Sequence, residues 1–274
     1  MHIYSQEQRQ NPGRLIGTQS STTGTVPGCS RERYLLAMTK ANTGIWEFTI
    51  KHFTLYRMNT YLRSSLGNYE RAVALYRWNC ELASAYWEAI AYIEVALRNL
   101  LDRKMTQRQI SLGRSTHWIF DDNYELGRSK DQNVVSTQPF KEIADAMRRV
   151  RKNGKPLTPN QIISELSFGF WHQLVSKKQL FLWPELASGF ANAPSRRQSY
   201  ISNLTLEIRD LRNRIGHHHR LGDDAIESGF KIINQLAGSI DEELVAWIGS
   251  NSRINNLLKT TPYNFSFFLL KPLP

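Results

Sequence analysis

The sequence predicts an all-α fold, and three observations carry that reading. Apolar residues recur at three- and four-residue steps through most of the chain, Gly and Pro are absent from Asn68 to Ser111, and alternating strand-like segments are scarce. One helical domain is expected over residues 45–250, between an extension at 1–40 and a tail at 251–274. The extension is rich in Ser, Thr, Gly and Gln, as in STTGTVPG at 21–28. Lacking apolar periodicity, it is expected to order only against a partner or the body of the protein.

From Asn68 the spacing predicts one long helix, or two in tandem, as far as Ser111. Leu82, Tyr86, Ile90, Ile93, Leu97 and Leu100 share one face and form its buried stripe. Glu94 lies at the margin of that stripe, with Arg98 four residues on. By themselves the two make a surface ion pair contributing a few tenths of a kcal/mol.

A second helix is expected from about Pro139 to Lys152, with Ile143, Met147 and Val150 inward, stopping at Asn153-Gly154. In LTPNQIISELSFGFW, Thr158 is a natural cap, Pro159 suits the first turn and Gln161 completes a capping box. Ile162, Leu166, Phe170 and Leu174 then read as one stripe, with Trp171 beside it. Phe168, Phe170 and Trp171 are chemically able to stack on bases, but their helical spacing favours the core.

The cleanest seam starts near Ser195 and runs through Ile201, Leu204, Ile208, Leu211 and Ile215. A last helix from about Ile226 to Ile248 closes the pattern.

Composition narrows the function. The chain of 274 residues carries a net charge of +11, and its pI near 9.7 points to a polyanionic partner, most often nucleic acid. The plainer meaning of that charge is solubility. Cys29 and Cys80, the two cysteines, form no CxxC pair, which argues against a disulfide framework or a cysteine zinc site. The N-terminus has no apolar core of signal-peptide length, and no apolar run approaches about 18 residues. A soluble, cytoplasmic protein without membrane contact is the expectation.

At the end of the seam stands LRNRIGHHHRL, Leu211 to Leu221. On an unbroken helix, five residues would set Arg212 and His217 about 140° apart. Gly216 is expected to end or bend the helix there, letting His217 and His218 swing back towards Arg212. Three readings compete. Metal binding fits poorly, because adjacent histidines diverge, no carboxylate or cysteine lies near, and two arginines repel a cation. A structural reading has the histidines meeting the helix dipole and the arginines covering its flank. The third is RNA cleavage. There the 2′-hydroxyl attacks its own phosphate, a histidine takes and gives protons, an arginine steadies the pentacoordinate phosphorane, and Asn213 orients one of them. No helix-turn-helix spacing supports a DNA-binding regulator.

The surrounding sequence raises the third reading. YRWNCELASAYWEAIAYIEVALRNLL, then LTPNQIISELSFGFWHQL, then EIRDLRNRIGHH resemble, in that order, the Abi-like family of abortive-infection proteins, of the AbiF/AbiD type. That family belongs to the HEPN group of helical nucleases, marked by an R-x4-6-H motif. The resemblance implies a HEPN-like helical bundle with additional helices. It implies a homodimer in which two motifs meet in a composite ribonuclease site, with no cofactor and no metal. It places the catalytic residues on Arg212, Asn213 and His217, with His218 also within the permitted spacing, and gives Glu94 as a support for Arg212. Arg98, Arg214, His219 and Arg220 would contact RNA. It also implies a toxin acting in phage defence and restrained by a small structured noncoding RNA, with a non-catalytic RNA-binding module as the alternative. The chain departs from its relatives where they carry Glu-Pro and it has His219-Arg220. Arg214 and His219 form a second, overlapping match to the motif.

Overall fold

The computed structural model describes residues 43–131 and 133–262; the 1–40 extension and Cys29 lie outside them. The described residues contain helices and no strand, so the fold is all-α. Two short helices lead in, α1 (Thr43–Phe53) and α2 (Leu55–Ser64). The chain breaks between them at Thr54, whose φ is 67° and whose hydroxyl accepts from the Arg57 N–H at 3.4 Å. A turn with positive φ at Leu66 and Gly67 follows.

The axis of the molecule is α3 (Tyr69–Ser111), 43 residues and roughly 65 Å long at 1.5 Å per residue. Asn68 caps it, accepting from the Arg71 N–H at 2.9 Å. The expected stripe residues, Leu82 through Leu100, are all buried on it. After a loop that includes a short 3-10 turn at Trp118–Phe120 come α4 (Phe140–Lys152), α5 (Pro159–Ser164) and α6 (Phe168–Leu174). Gly154, just beyond α4, takes φ 66°, as the Asn-Gly stop predicts. The Thr158 hydroxyl accepts from the Gln161 N–H at 3.4 Å.

One helix was expected from Ile162 to Leu174, but α5 and α6 are separate. Arg149 reaches the gap, donating to the Glu165 main-chain carbonyl at 2.6 Å and to its carboxylate at 3.1 Å. The stripe survives the break, since Ile162, Leu166, Phe170 and Leu174 are all buried. Phe168, Phe170 and Trp171 are fully buried core, with Phe170 and Trp171 edge to face at 5.0 Å and Trp118 beside them.

Short turns and α7 (Trp183–Leu186) lead to α8 (Gln198–Gly216), then α9 (Asp223–Ile240), α10 (Glu242–Asn251) and α11 (Ile254–Lys259). The single helix expected over 226–248 is thus broken, at Asp241. Asp241 is extended, at φ −162°, and its side chain accepts from the Glu243 N–H at 2.9 Å to start α10. Ile254 of α11 is fully buried, and Trp78 on α3 donates to the Leu257 carbonyl at 2.9 Å.

The packing that positions the site is that of α3, α8 and α9, which contact one another pairwise. Gly229 sets the approach of α9. A Cβ there would lie 3.1 Å from the Tyr86 ring and 3.2 Å from Leu211. Beside it the Tyr86 hydroxyl donates to the Ile226 carbonyl at 3.2 Å. With Ile201, Leu204, Ile208, Leu211 and Ile215 buried, the C-terminal end of α8 is held against α3. No described helix is long and apolar enough to cross a membrane.

Candidate functional site

Helix α8 ends in a full C-terminal cap made by the histidine run. The His218 N–H donates to the Ile215 carbonyl and the His219 N–H to the Arg214 carbonyl, both at 2.9 Å. This crossed pair is the Schellman arrangement, and it needs one residue in the left-handed region. That residue is His218, at φ 55°. The helix ends at Gly216, as expected, and His217 and His218 form the turn. The left-handed residue of the cap is nevertheless His218 rather than the glycine, so a histidine bears the strain.

Leu211 and Ile215 fix the phase of the last turn, and Arg212 emerges beside α3. Its guanidinium carbon lies 5.2 Å from the centre of the Trp87 ring, over the indole face. The Arg212 Nε is buried and has no hydrogen-bond partner among the described residues. Glu94, two turns along α3, forms its ion pair with Arg98, at 3.5 Å. Burial raises the Glu94 carboxyl above the ordinary carboxylate range, while the charges of Arg98 and, after it, Arg212 act to lower it. The contact partner of Glu94 is thus Arg98, and the Arg212 charge acts on Glu94 through space, after that of Arg98.

Of the three histidines, His218 and His219 line a groove beside the cap, and His217, like Arg212, lies outside its lining. All three are exposed, and the His217 and His219 rings lie 5.9 Å apart at a 35° tilt. This groove is open, of about 450 Å³, and lies between the cap, α2 and α3. Trp87 lines it as well, still 42% exposed. Arg212 lies outside the groove lining and meets it through the indole. Asn213 is exposed, and its carbonyl accepts the His217 N–H at 2.9 Å. Arg214 donates across the cap to the Arg220 carbonyl at 3.2 Å, while Arg220 lies over the Tyr61 ring and 3.8 Å from Asp223. Both arginines thus brace the turn. Among the described residues no group of three His, Cys, Asp or Glu is placed to hold a metal ion.

Three residues join the site that sequence reasoning passed over. Arg57, on α2, donates from Nη1 to the His218 carbonyl at 2.6 Å and lines the groove. Asn79 is buried below it, its Oδ1 accepting from the Tyr61 hydroxyl at 3.1 Å and from the Leu221 N–H at 3.4 Å. Burial pushes the Tyr61 phenol up to about 12, so it stays a donor. The third is Trp87, which had a signal. It falls one residue off the Leu82–Tyr86–Ile90 stripe, where a large indole has no core to fill. Arg57 had none, because 161 residues separate it from its partner.

Residues 47–223 match the family described as Abi-like protein. The chain belongs to the Abi-like family. The matched span of this Abi-like protein opens within α1 and closes at Asp223, the first residue of α9. It therefore takes in Arg57, Trp87 and the entire cap, while the body of α9, α10 and α11 lie beyond it. No curated protein and no solved structure matches the chain.

Proposed function

We propose that this Abi-like protein is a metal-independent endoribonuclease acting in abortive infection against phage. The observation that carries the reading is the end of α8. There an arginine and a run of exposed histidines, in R-x4-H spacing, flank an open groove on a strongly basic chain. The family supports the abortive-infection role, and the net charge of +11 supports a polyanionic substrate.

In this mechanism His217 takes the proton of a ribose 2′-hydroxyl, whose oxygen attacks the adjacent phosphorus. Arg212 steadies the charge gathering on the phosphorane oxygens, and Asn213 positions the phosphate. A second imidazole, from His218, His219 or the His217 of a second copy, gives a proton to the departing 5′-oxygen. The products carry a 2′,3′-cyclic phosphate and a 5′-hydroxyl, with no cofactor consumed. A homodimer joining two copies of the motif, a cytoplasmic location and restraint by a small structured RNA complete the proposal.

Purified protein incubated with RNA in EDTA tests it. Cleavage should occur. Arg212→Ala should slow it by about 10²–10³-fold, and His217→Ala by about 10²–10⁴-fold, with RNA binding largely kept. The position of Arg212, held over Trp87 with its Nε buried, favours one rival: a non-catalytic module that holds a noncoding RNA. Wild type and both variants binding RNA alike, with none cutting it, would establish the rival.

A further inference from the structure

We propose that the groove beside the cap seats one unpaired nucleotide of a single-stranded RNA, with its base against Trp87 and its phosphate on Arg57. This rests on RNA being the ligand of the site, and it names the form of RNA admitted.

The groove has the chemistry of a nucleotide at each point. At about 450 Å³ it lies within the range of small-ligand sites. Trp87 is 42% exposed although Arg212 covers one face of its ring, so indole surface remains for a base. Aromatic rings accept any base by stacking, which is how sequence-tolerant single-strand sites are built. On the floor, the Asn79 carbonyl oxygen is already engaged by Tyr61 and Leu221. The amide NH2 of Asn79 is then left to meet an acceptor on a base edge. Arg57 is half-buried at the rim and uses Nη1 on the His218 carbonyl. A guanidinium has five donors in a fixed fork, so others remain for a phosphate. His219 stands at the same rim, which puts the phosphate beside the imidazoles.

The same features exclude a duplex. An A-form helix keeps its bases stacked inside and offers a groove of this size only sugar and phosphate edges.

Cys80 supplies a built-in probe, because its exposed side chain lines the groove. The full chain is titrated with labelled 2′-O-methyl hexanucleotides, which lack the attacking hydroxyl, either single-stranded or annealed. Alkylation of Cys80 by N-ethylmaleimide is followed in parallel by peptide mass spectrometry. The single strand should bind and slow Cys80 alkylation at least tenfold, and the duplex should do neither. Trp87→Ala should weaken binding by about tenfold or more, with Trp87→Phe restoring most of it. Arg57→Gln should reduce the salt slope of binding by about one. Ser84→Trp, which fills the groove from an exposed position, should abolish Cys80 protection.

The proposal is overturned if no single strand binds, if one binds with Cys80 alkylation unchanged, or if the duplex protects equally. It is also overturned if Trp87→Ala and Ser84→Trp both bind like wild type. Arg212-dependent cleavage with an unprotected Cys80 would leave the nuclease standing and remove the groove. Protection by the 2′-O-methyl strand together with no cleavage of unmodified RNA would do the reverse.

Discussion

His218 and Gly216 divide the work of ending α8 in an order that local preference would reverse. The sequence offers a glycine where a turn is wanted, and glycine is the residue most at ease with positive φ. The structure keeps Gly216 helical, where a Cβ would lie 3.7 Å from the Trp87 ring, an ordinary contact. Gly216→Ala should therefore stabilise the protein by about 0.5–1 kcal/mol, as alanine replaces an exposed helical glycine. Were Gly216 the left-handed residue, the same change would destabilise by a similar amount, so urea unfolding decides between the two. His218→Gly should also stabilise, by about 1 kcal/mol, by relieving the strained φ of 55°. What the sequence displayed here was the site's composition, namely Arg212, Asn213 and three histidines at one helix end. It hid which of them turns the chain, because a cap is chosen by the packing of Leu211 and Ile215 as much as by the residue that occupies it.

Among the elements, a boundary was readable where its end signal also interrupted the apolar rhythm, and hidden where that rhythm ran on across it. The span of α3 follows from Asn68, a natural cap, and the absence of Gly and Pro up to Ser111. The break at Asp241 had a signal too. An Asp followed by Glu242 and Glu243 is the acidic opening of a helix, overlooked because the apolar rhythm continues across it. The break between α5 and α6 had one in Ser167, the N-cap residue of α6, and Arg149 braces the gap from another helix. The loop after α3 is held in a similar way, with Glu125 bridging Arg114 at 2.9 Å and Arg108 at 2.6 Å. Hydrogen bonds from Arg114 first, and Arg108 after it, lower the Glu125 carboxyl from 4.5 to about 2. A carboxylate lowered in the fold contributes stability that is complete above pH 4.5 and lost as the pH falls towards 2. Glu125→Gln should consequently be less stable than wild type at neutral pH, with the gap narrowing below pH 4.5 and closing only as the pH falls through about 2. Denaturant midpoints across that range measure it.

At the scale of the whole molecule, the helical rhythm was enough for the fold class, because an all-α chain repeats its signal in every element. The charge was equally plain at +11. If that charge serves RNA, affinity should fall steeply with salt, with a logarithmic slope of about −0.7 per phosphate neutralised on a single strand. A flat dependence would assign the charge to solubility alone. The proposed pairing of two motifs also fixes a mass. Sedimentation at micromolar concentration should give twice the 31.7 kDa of one chain, and a monomer at activity-supporting concentrations would mean that one copy holds a complete site. No rule of sequence spacing could have supplied the groove, whose walls come from α2, α3 and the cap.

The bond from Arg57 to the His218 carbonyl gives the site an order of assembly. The cap is the last part of the groove to be synthesised, and α2 is among the first. As the ribosome releases the chain, Arg57 emerges long before its partner exists. The histidine turn can meet Arg57 only when almost the whole matched family span has been made. A truncated product ending before α8 would carry the aromatic wall of the groove and none of its imidazoles. For a protein proposed to cut RNA inside the cell that makes it, the groove proposed to seat that RNA is complete only when the chain is nearly finished.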